Sequence, residues 1–262
     1  MRLSVVLAGS GFPKLRSAVT LIESGGRNVL VDTGLCEDGG KLVAALAGRG
    51  IAPEAVDTII TTHLHYDHCG NHLLFPKARF VVGRADYDDT RSFIAHYHAD
   101  VTPEKRATAE LLRSRNTNIK DFYVRSIVRE ITRNLAFYDA LLAGDARFEP
   151  IEGRAHLTKN IDIIPTPGHT PGHLSVVVHG VTIGGEQTSV LVGGDAIFSR
   201  NGTTLASGES HLAWNPEIYR VTRASLLSHY RWIVPGHDDL VDTRPLQHAV
   251  LSGGRECLTA SS

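Results

Sequence analysis

Short apolar runs separated by glycine, proline and polar turns set the pattern of much of this chain. Ala18-Val19-Thr20-Leu21-Ile22 and Asn28-Val29-Leu30-Val31 flank Ser24-Gly25-Gly26, a composition that predicts two strands joined by a hairpin. The second strand ends in Asp32-Thr33-Gly34. Residues Lys41 to Ala47 predict a short helix stopped by Gly48 and Gly50. Further strands are expected at Val56-Asp57-Thr58-Ile59-Ile60, Ile161-Asp162-Ile163-Ile164, Leu174 to Val178, Val190-Leu191-Val192 and Trp232-Ile233-Val234. The run Val190 to Asp195 echoes Val29 to Gly34, as two packed sheets with internal pseudo-symmetry would show. Near the C-terminus, Asn215 is placed to cap a helix with Pro216 in its first turn, running to about Ser228.

The strand-rich pattern is interrupted over residues 86–149. There Ile119, Phe122, Ile127, Ile131, Leu135, Tyr138 and Leu142 recur mostly at three- or four-residue steps, while Arg125, Arg129, Arg133 and Asn134 fall largely off that face. This is the periodicity of an amphipathic helix, with another expected over 103–113. The whole chain, 1–262, is therefore expected to be one domain carrying a helical insertion. Basic residues outnumber acidic ones between Lys105 and Arg133, so the insertion offers either a solvated face or attraction to an anionic substrate or RNA backbone.

Composition narrows the picture. The formal net charge of −1 and the pI near 6.9 give no global attraction to nucleic acid or to a membrane surface. Three scattered cysteines, Cys36, Cys69 and Cys257, do not make a disulfide framework, which suits a reducing cytosol. Val5-Val6-Leu7-Ala8 is too short for the apolar core of a signal peptide, so a cytoplasmic protein is expected.

The chemistry is concentrated in Thr62-His63-Leu64-His65-Tyr66-Asp67-His68. Alternation along an extended segment would put His63, His65 and Asp67 on one side, and a turn at Asp67-His68 would aim them at a second point. Imidazole nitrogen and carboxylate oxygen are ligands of zinc and similar divalent metals. Three later segments repeat one grammar, in which a strand-like run and a small turn precede a ligand-type side chain. They are Pro165-Thr166-Pro167-Gly168-His169, Val190-Leu191-Val192-Gly193-Gly194-Asp195 and Trp232-Ile233-Val234-Pro235-Gly236-His237. Cys69 reads better as a small buried residue than as a ligand. His96-Tyr97-His98 lacks a carboxylate and is a weak metal signal.

With these motifs the chain resembles the metallo-β-lactamase-fold hydrolase superfamily from residue 28 to residue 237. The resemblance implies an α/β (α+β) architecture, an αββα sandwich with metals at one edge. It also implies two divalent metal ions, zinc foremost, with iron, manganese or cobalt suited to the same ligands. His63, His65 and His169 would hold one, Asp67, His68 and His237 the other, and Asp195 would bridge both. Asp32 would either orient the histidines from behind or simply form its turn. His173 would either support the site or start the next strand.

Metals of this kind lower the pKa of bound water from 15.7 to about 7, making hydroxide available to attack an ester-type carbonyl or a phosphoryl centre. Asp67 and Asp195 are the expected catalytic carboxylates, orienting the nucleophile and passing a proton to the leaving group. Within the resembled superfamily, lactonases share the full ligand set and the position of the insertion. Many carry a tyrosine where this chain has Phe198, which cannot donate a hydrogen bond. A small-molecule ester, with a lactone foremost, is the expected substrate. The alternatives are a glyoxalase II-like thioesterase, a metal-dependent ribonuclease or phosphodiesterase, and a non-catalytic metal sensor. His211 and Trp214 are candidates for the pocket wall, with Trp214 equally suited to staple the following helix, and the insertion either overhangs the site, makes a homodimer surface or packs on its own scaffold.

Overall fold

The computed structural model describes residues 1–11, 14–99, 129–143, 145–200 and 213–244. Among these, two six-stranded sheets face each other. The first runs in spatial order β1 (Arg2–Leu7), β2 (Val19–Ser24), β3 (Arg27–Val31), β4 (Thr58–Ile60), β5 (Arg79–Gly83) and β6 (Phe148–Ile151). The second runs β12 (Val241–Asp242), β11 (Trp232–Pro235), β10 (Glu186–Gly194), β9 (Leu174–Ile183), β8 (Ile161–Pro165) and β7 (Ala155–Thr158). The described residues also form α1 (Gly39–Ala47), α2 (Tyr66–Cys69), α3 (Arg84–Ala99), α4 (Leu135–Ala143) and α5 (Pro216–His229), with a further helical stretch at 129–133.

Period-two alternation sorts the strand side chains into layers. Ile22, Val29, Val31, Ile60 and Val81 of the first sheet meet Ile161, Ile163, Val176, Val178, Val190, Val192 and Val234 of the second. The intervening residues Leu21, Leu30, Ile59, Phe80 and Val82 point the other way, onto Leu42 and Leu46 of α1, Phe93 and Ile94 of α3, and Tyr138 and Leu141 of α4. On the far side, Val177, Leu191 and Ile233 pack against Leu226 of α5. The result is a helix–sheet–sheet–helix sandwich, built because both faces of each central strand are apolar and both must be covered.

Local chemistry sets the connections. Gly25 and Gly26 both take positive φ (59° and 78°), which the two-residue hairpin between β2 and β3 requires. The Asn215 side chain accepts the amides of Glu217 and Ile218 at the start of α5, and Pro216 occupies its first turn. The long amphipathic helix expected through the insertion is interrupted. Residues 129–133 are helical, a turn follows at Asn134, and α4 begins at Leu135. Asn134 Nδ2 bonds back to the carbonyl of Glu130 at 2.9 Å, and its amide is shared between the carbonyls of Glu130 and Ile131. Side-chain competition of this kind tightens a helix into a turn. The helix expected over 103–113, the first part of the amphipathic stretch, Arg125 and His211 lie outside the described residues.

Parallel pairing brings strand ends together at one edge. Val31 of β3 is level with Ile60 of β4, and Val192 of β10 with Val234 of β11. The amide of Leu174 donates to the carbonyl of Thr62, and that of Ala18 to the carbonyl of Gly236, lacing the two sheets together there. No helix among the described residues is long and apolar enough to cross a membrane.

Ile22 lies fully buried between the sheets, so Ile22→Ala is expected to cost about 2–5 kcal/mol, read as a lower urea midpoint with unchanged slope. Val221, 72% exposed on α5, is the control: its change to alanine is expected to move stability by less than about 0.5 kcal/mol.

Candidate metal centre

Beyond β4 the chain bends at Thr62 and brings His63 and His65 to one point, their ring nitrogens 2.9 Å apart. Asp67 does not follow the alternation expected of an extended segment. His65 (φ −71°, ψ 147°) caps α2, and the helical turn swings Asp67 and His68 toward a second point. His169 arrives in the loop after β8, Asp195 directly after β10, and His237 two residues beyond β11.

These seven side chains converge. His63 Nε2 lies 2.9 Å from His65 Nδ1, which lies 3.1 Å from His169 Nε2. Asp67 Oδ2 is 3.8 Å from His68 Nε2 and 3.6 Å from His237 Nε2. Asp195 sits between the groups, with Oδ1 at 3.3 Å from His68 Nε2 and Oδ2 at 3.3 Å from His169 Nε2 and 3.4 Å from His237 Nε2. Ligand-type atoms lie within 4.8 Å of one another in three sets: His63, His65 and His169; His63, His68 and Asp195; and Asp67, His68 and His237. His68 Nε2 and Asp195 Oδ1 are buried without a well-formed hydrogen bond. Buried polar atoms normally have a partner, and nitrogen and oxygen donors aimed at common points fit a divalent cation.

Electrostatics separates the imidazoles into two kinds. Burial, reinforced for His63 by the neighbouring imidazoles, holds His63 and His169 well below the usual histidine range, and burial takes His65 down to about 4. Burial also opposes charge on His68 and His237. There the carboxylate of Asp195, helped by Asp67, outweighs it and raises both. For Asp195 burial works against ionisation, but His237, His68 and His169 prevail and keep it well below the usual carboxylate range. Thus the Asp195 side of the centre favours protonated imidazole, and the His63 side neutral imidazole.

A second layer orients these rings. Asp32 adopts a positive φ (59°), unusual for a non-glycine residue, and is almost fully buried. Its Oδ1 accepts the Thr62 amide, and its Oδ2 accepts both the Thr62 hydroxyl and His68 Nδ1, each at 2.8 Å. Asp32 therefore fixes the His68 tautomer with Nε2 toward Asp195, more than forming its own turn. His237 Nδ1 donates to the Arg16 carbonyl at 3.0 Å, leaving its Nε2 aimed inward. Gly236 has no alternative residue, since a Cβ there would run into Asp195 Oδ1.

His173 is buried with Nδ1 2.8 Å from the Thr166 hydroxyl and its ring centroid 5.2 Å from that of His63. It lies behind His63, immediately before β9, and belongs to none of the three ligand sets. Cys69 is buried, its Sγ 3.8 Å from the Leu64 carbonyl. His98 pairs with Asp139 at 2.9 Å on the surface. The Phe198 ring lies 4.3 Å from the His237 ring, buried and tilted over it. The Trp214 amide donates to the His169 carbonyl, tying the segment before α5 to the ligand loop.

Two contributors escape a reading of the sequence. Asp86, in the first turn of α3, accepts the Thr170 hydroxyl and the Gly172 amide, both at 2.6 Å, and so clamps the loop that carries His169. His72 spans the Thr33 and Thr61 hydroxyls at 2.8 and 2.7 Å. Burial, then Arg147, hold its pKa down to about 3. Neither carries a motif, and only the distance of Asp86 from a loop far along the chain gives it meaning.

The metallo-beta-lactamase superfamily model matches residues 13–237. An uncharacterized protein of Caenorhabditis elegans is 25% identical over 249 residues, 94% of this chain and 52% of that protein. The chain thus spans about half the length of that relative. Metallo-beta-lactamase domain-containing protein 1 of Xenopus laevis is 30% identical over 224 residues, 84% of this chain and 70% of that protein. Among solved structures, the dizinc quorum-quenching lactonase AidC, in complex with the product N-hexanoyl-L-homoserine, aligns with a TM-score of 0.59. That alignment has 18% identity and covers 84% of this chain and 72% of AidC.

Three outcomes are expected. Adding zinc to weakly buffered protein releases protons, because imidazole binds metal only in its neutral form, and affinity falls from about pH 8 to about pH 6; an indicator dye and a competing chelator measure both. Asp32→Asn weakens metal binding by about 10–100-fold in the same competition assay. For His72 the folded state takes up its proton only near pH 3, whereas the unfolded chain takes it up near 6.5. Its contribution to stability therefore falls as pH drops through that window, and urea titrations of His72→Gln should show a shallower loss than the parent.

Proposed function

Because the chain belongs to the metallo-beta-lactamase superfamily, we propose that it is a dinuclear, zinc-dependent hydrolase of a small-molecule ester, with a lactone as substrate. The observation that carries this reading is the position of Asp195, one oxygen at His68 and the other at His169 and His237. In this reading His63, His65 and His169 would hold one metal and Asp67, His68 and His237 the other, with Asp195 available to both. Bound metals supply Lewis acidity and hydroxide at neutral pH.

The protein's own groups divide the remaining work. Asp195 is sealed, its side chain only 3% exposed, and serves as a fixed negative charge at the heart of the centre. Asp67 is the more accessible carboxylate, with its side chain 20% exposed, and can carry a proton to the leaving alkoxide. A lactone keeps that alkoxide tethered to the acyl group, so one carboxylate at the mouth suffices for the transfer. The lactonase AidC shares this fold, which is consistent with the substrate class. Phe198 presents an aromatic ring over His237 and offers no donor, which favours an apolar substituent beside that ligand.

The test is proton release from a panel of lactones, thioesters and aryl esters by zinc-reconstituted protein, with a chelated control. Lactones are expected to turn over in a chelator-sensitive way, and His169→Ala and Asp195→Ala to lose activity by at least about 100-fold. Turnover of thioesters alone, or silence of the metal-loaded protein across the panel, would overturn the lactone assignment. Full activity in both variants would overturn the metal centre.

A further inference from the structure

Two side chains of the insertion reach the backbone on either side of His65. Glu130 Oε1 accepts the amide of Tyr66 at 2.7 Å. The Tyr138 hydroxyl lies 2.9 Å from the carbonyl of Leu64 and 2.9 Å from the same Glu130 oxygen. Leu64 and Tyr66 bracket His65, so this pair grips the chain where extended backbone gives way to α2. Tyr138 is fully buried, and the turn at Asn134 sets the spacing between it and Glu130. The Phe137 ring meets the Tyr66 ring edge-on at 5.1 Å, adding an apolar contact on the same side.

A merely decorative helix has no need of this arrangement. Its apolar face already packs through Leu141 and Ile131 onto the first sheet. The polar contacts go instead to the two peptide groups whose orientation sets where His65 and Asp67 point. Hydrogen bonds to a ligand segment hold its geometry as hydrogen bonds to a ligand ring do.

We propose that Glu130 and Tyr138 are positioning residues of the metal centre, a latch from the helical insertion that fixes the backbone on both sides of His65 and so the relative aim of His65 and Asp67. This rests on the reading of those two residues as ligands. It gives the insertion a function inside the site, where a change in its packing is felt as a change in metal affinity.

The test uses the full chain with cobalt(II) as the probe, reading the visible ligand-field spectrum, affinity against a chromophoric chelator, and the urea midpoint. Tyr138→Phe and Glu130→Ala are expected to alter the spectrum and weaken cobalt binding by about tenfold. Glu130→Gln keeps an acceptor for the Tyr66 amide and is expected to restore both. The double variant Glu130→Ala/Tyr138→Phe should be little worse than either single, as members of one unit. Leu141→Ala, a cavity in the same helix away from the latch, is expected to lower the urea midpoint and leave the spectrum unchanged. Parent-like spectra and affinities for Glu130→Ala and Tyr138→Phe would overturn the latch, as would an equal spectral change in Leu141→Ala. His65→Ala separates the two levels of the argument. If it binds cobalt like the parent, the ligand assignment fails; if it loses cobalt while the latch variants do not, only the latch fails.

Discussion

A carboxylate removed from water has to be met by positive charge or donors, and this constraint organises the edge of the sandwich. Asp195 is 2% exposed, and its partners come from three separate segments: His68 after β4, His169 after β8 and His237 after β11. Desolvating an ion costs several kcal/mol even after relaxation, so these imidazoles must be held where they are. The supporting contacts follow from that need. Asp32 locks His68, the Arg16 carbonyl locks His237, and Asp86 clamps the loop of His169. Each comes from an element other than the one it holds, so the centre and the two-sheet fold are mutually dependent.

Much of the sandwich can be read from alternation in the sequence. Residues such as Val29, Leu30 and Val31 already carry the period that sends two to the inter-sheet layer and one to the helices. The hairpin at Gly25-Gly26 and the cap at Asn215 are equally local, and their chemistry is complete within a few residues. Helix α3 is harder to see, since its residues are mostly polar and their periodicity is weak. Of the candidate centre, the sequence displays residue types and their order after successive strands. It does not display direction. Asp67 falls on the extended alternation only if the chain stays extended, and the turn into α2 at Tyr66 breaks that rule.

The least legible contacts are those between segments far apart along the chain. Asp86 meets Thr170 and Gly172, and Glu130 meets Tyr66, through single hydrogen bonds that leave no periodic trace. Asp32 is an intermediate case. Its Asp-Thr-Gly setting suits a turn, and only the three bonds to Thr62 and His68 show that it also orients the centre. Phe198 sits at the rim of this frame, packed on one imidazole of the centre. Tilted over His237 at 4.3 Å, it puts an apolar ring beside the carboxylates and imidazoles of the centre.

The central claim, that one buried carboxylate joins two metal positions, is tested most directly by anomalous diffraction at the zinc edge from crystals of zinc-loaded protein. Two peaks about 3.5–4 Å apart are expected, with Asp195 touching both, His63, His65 and His169 around one, and Asp67, His68 and His237 around the other. A single peak at full zinc loading, or two peaks with Asp195 bound to neither, would contradict it.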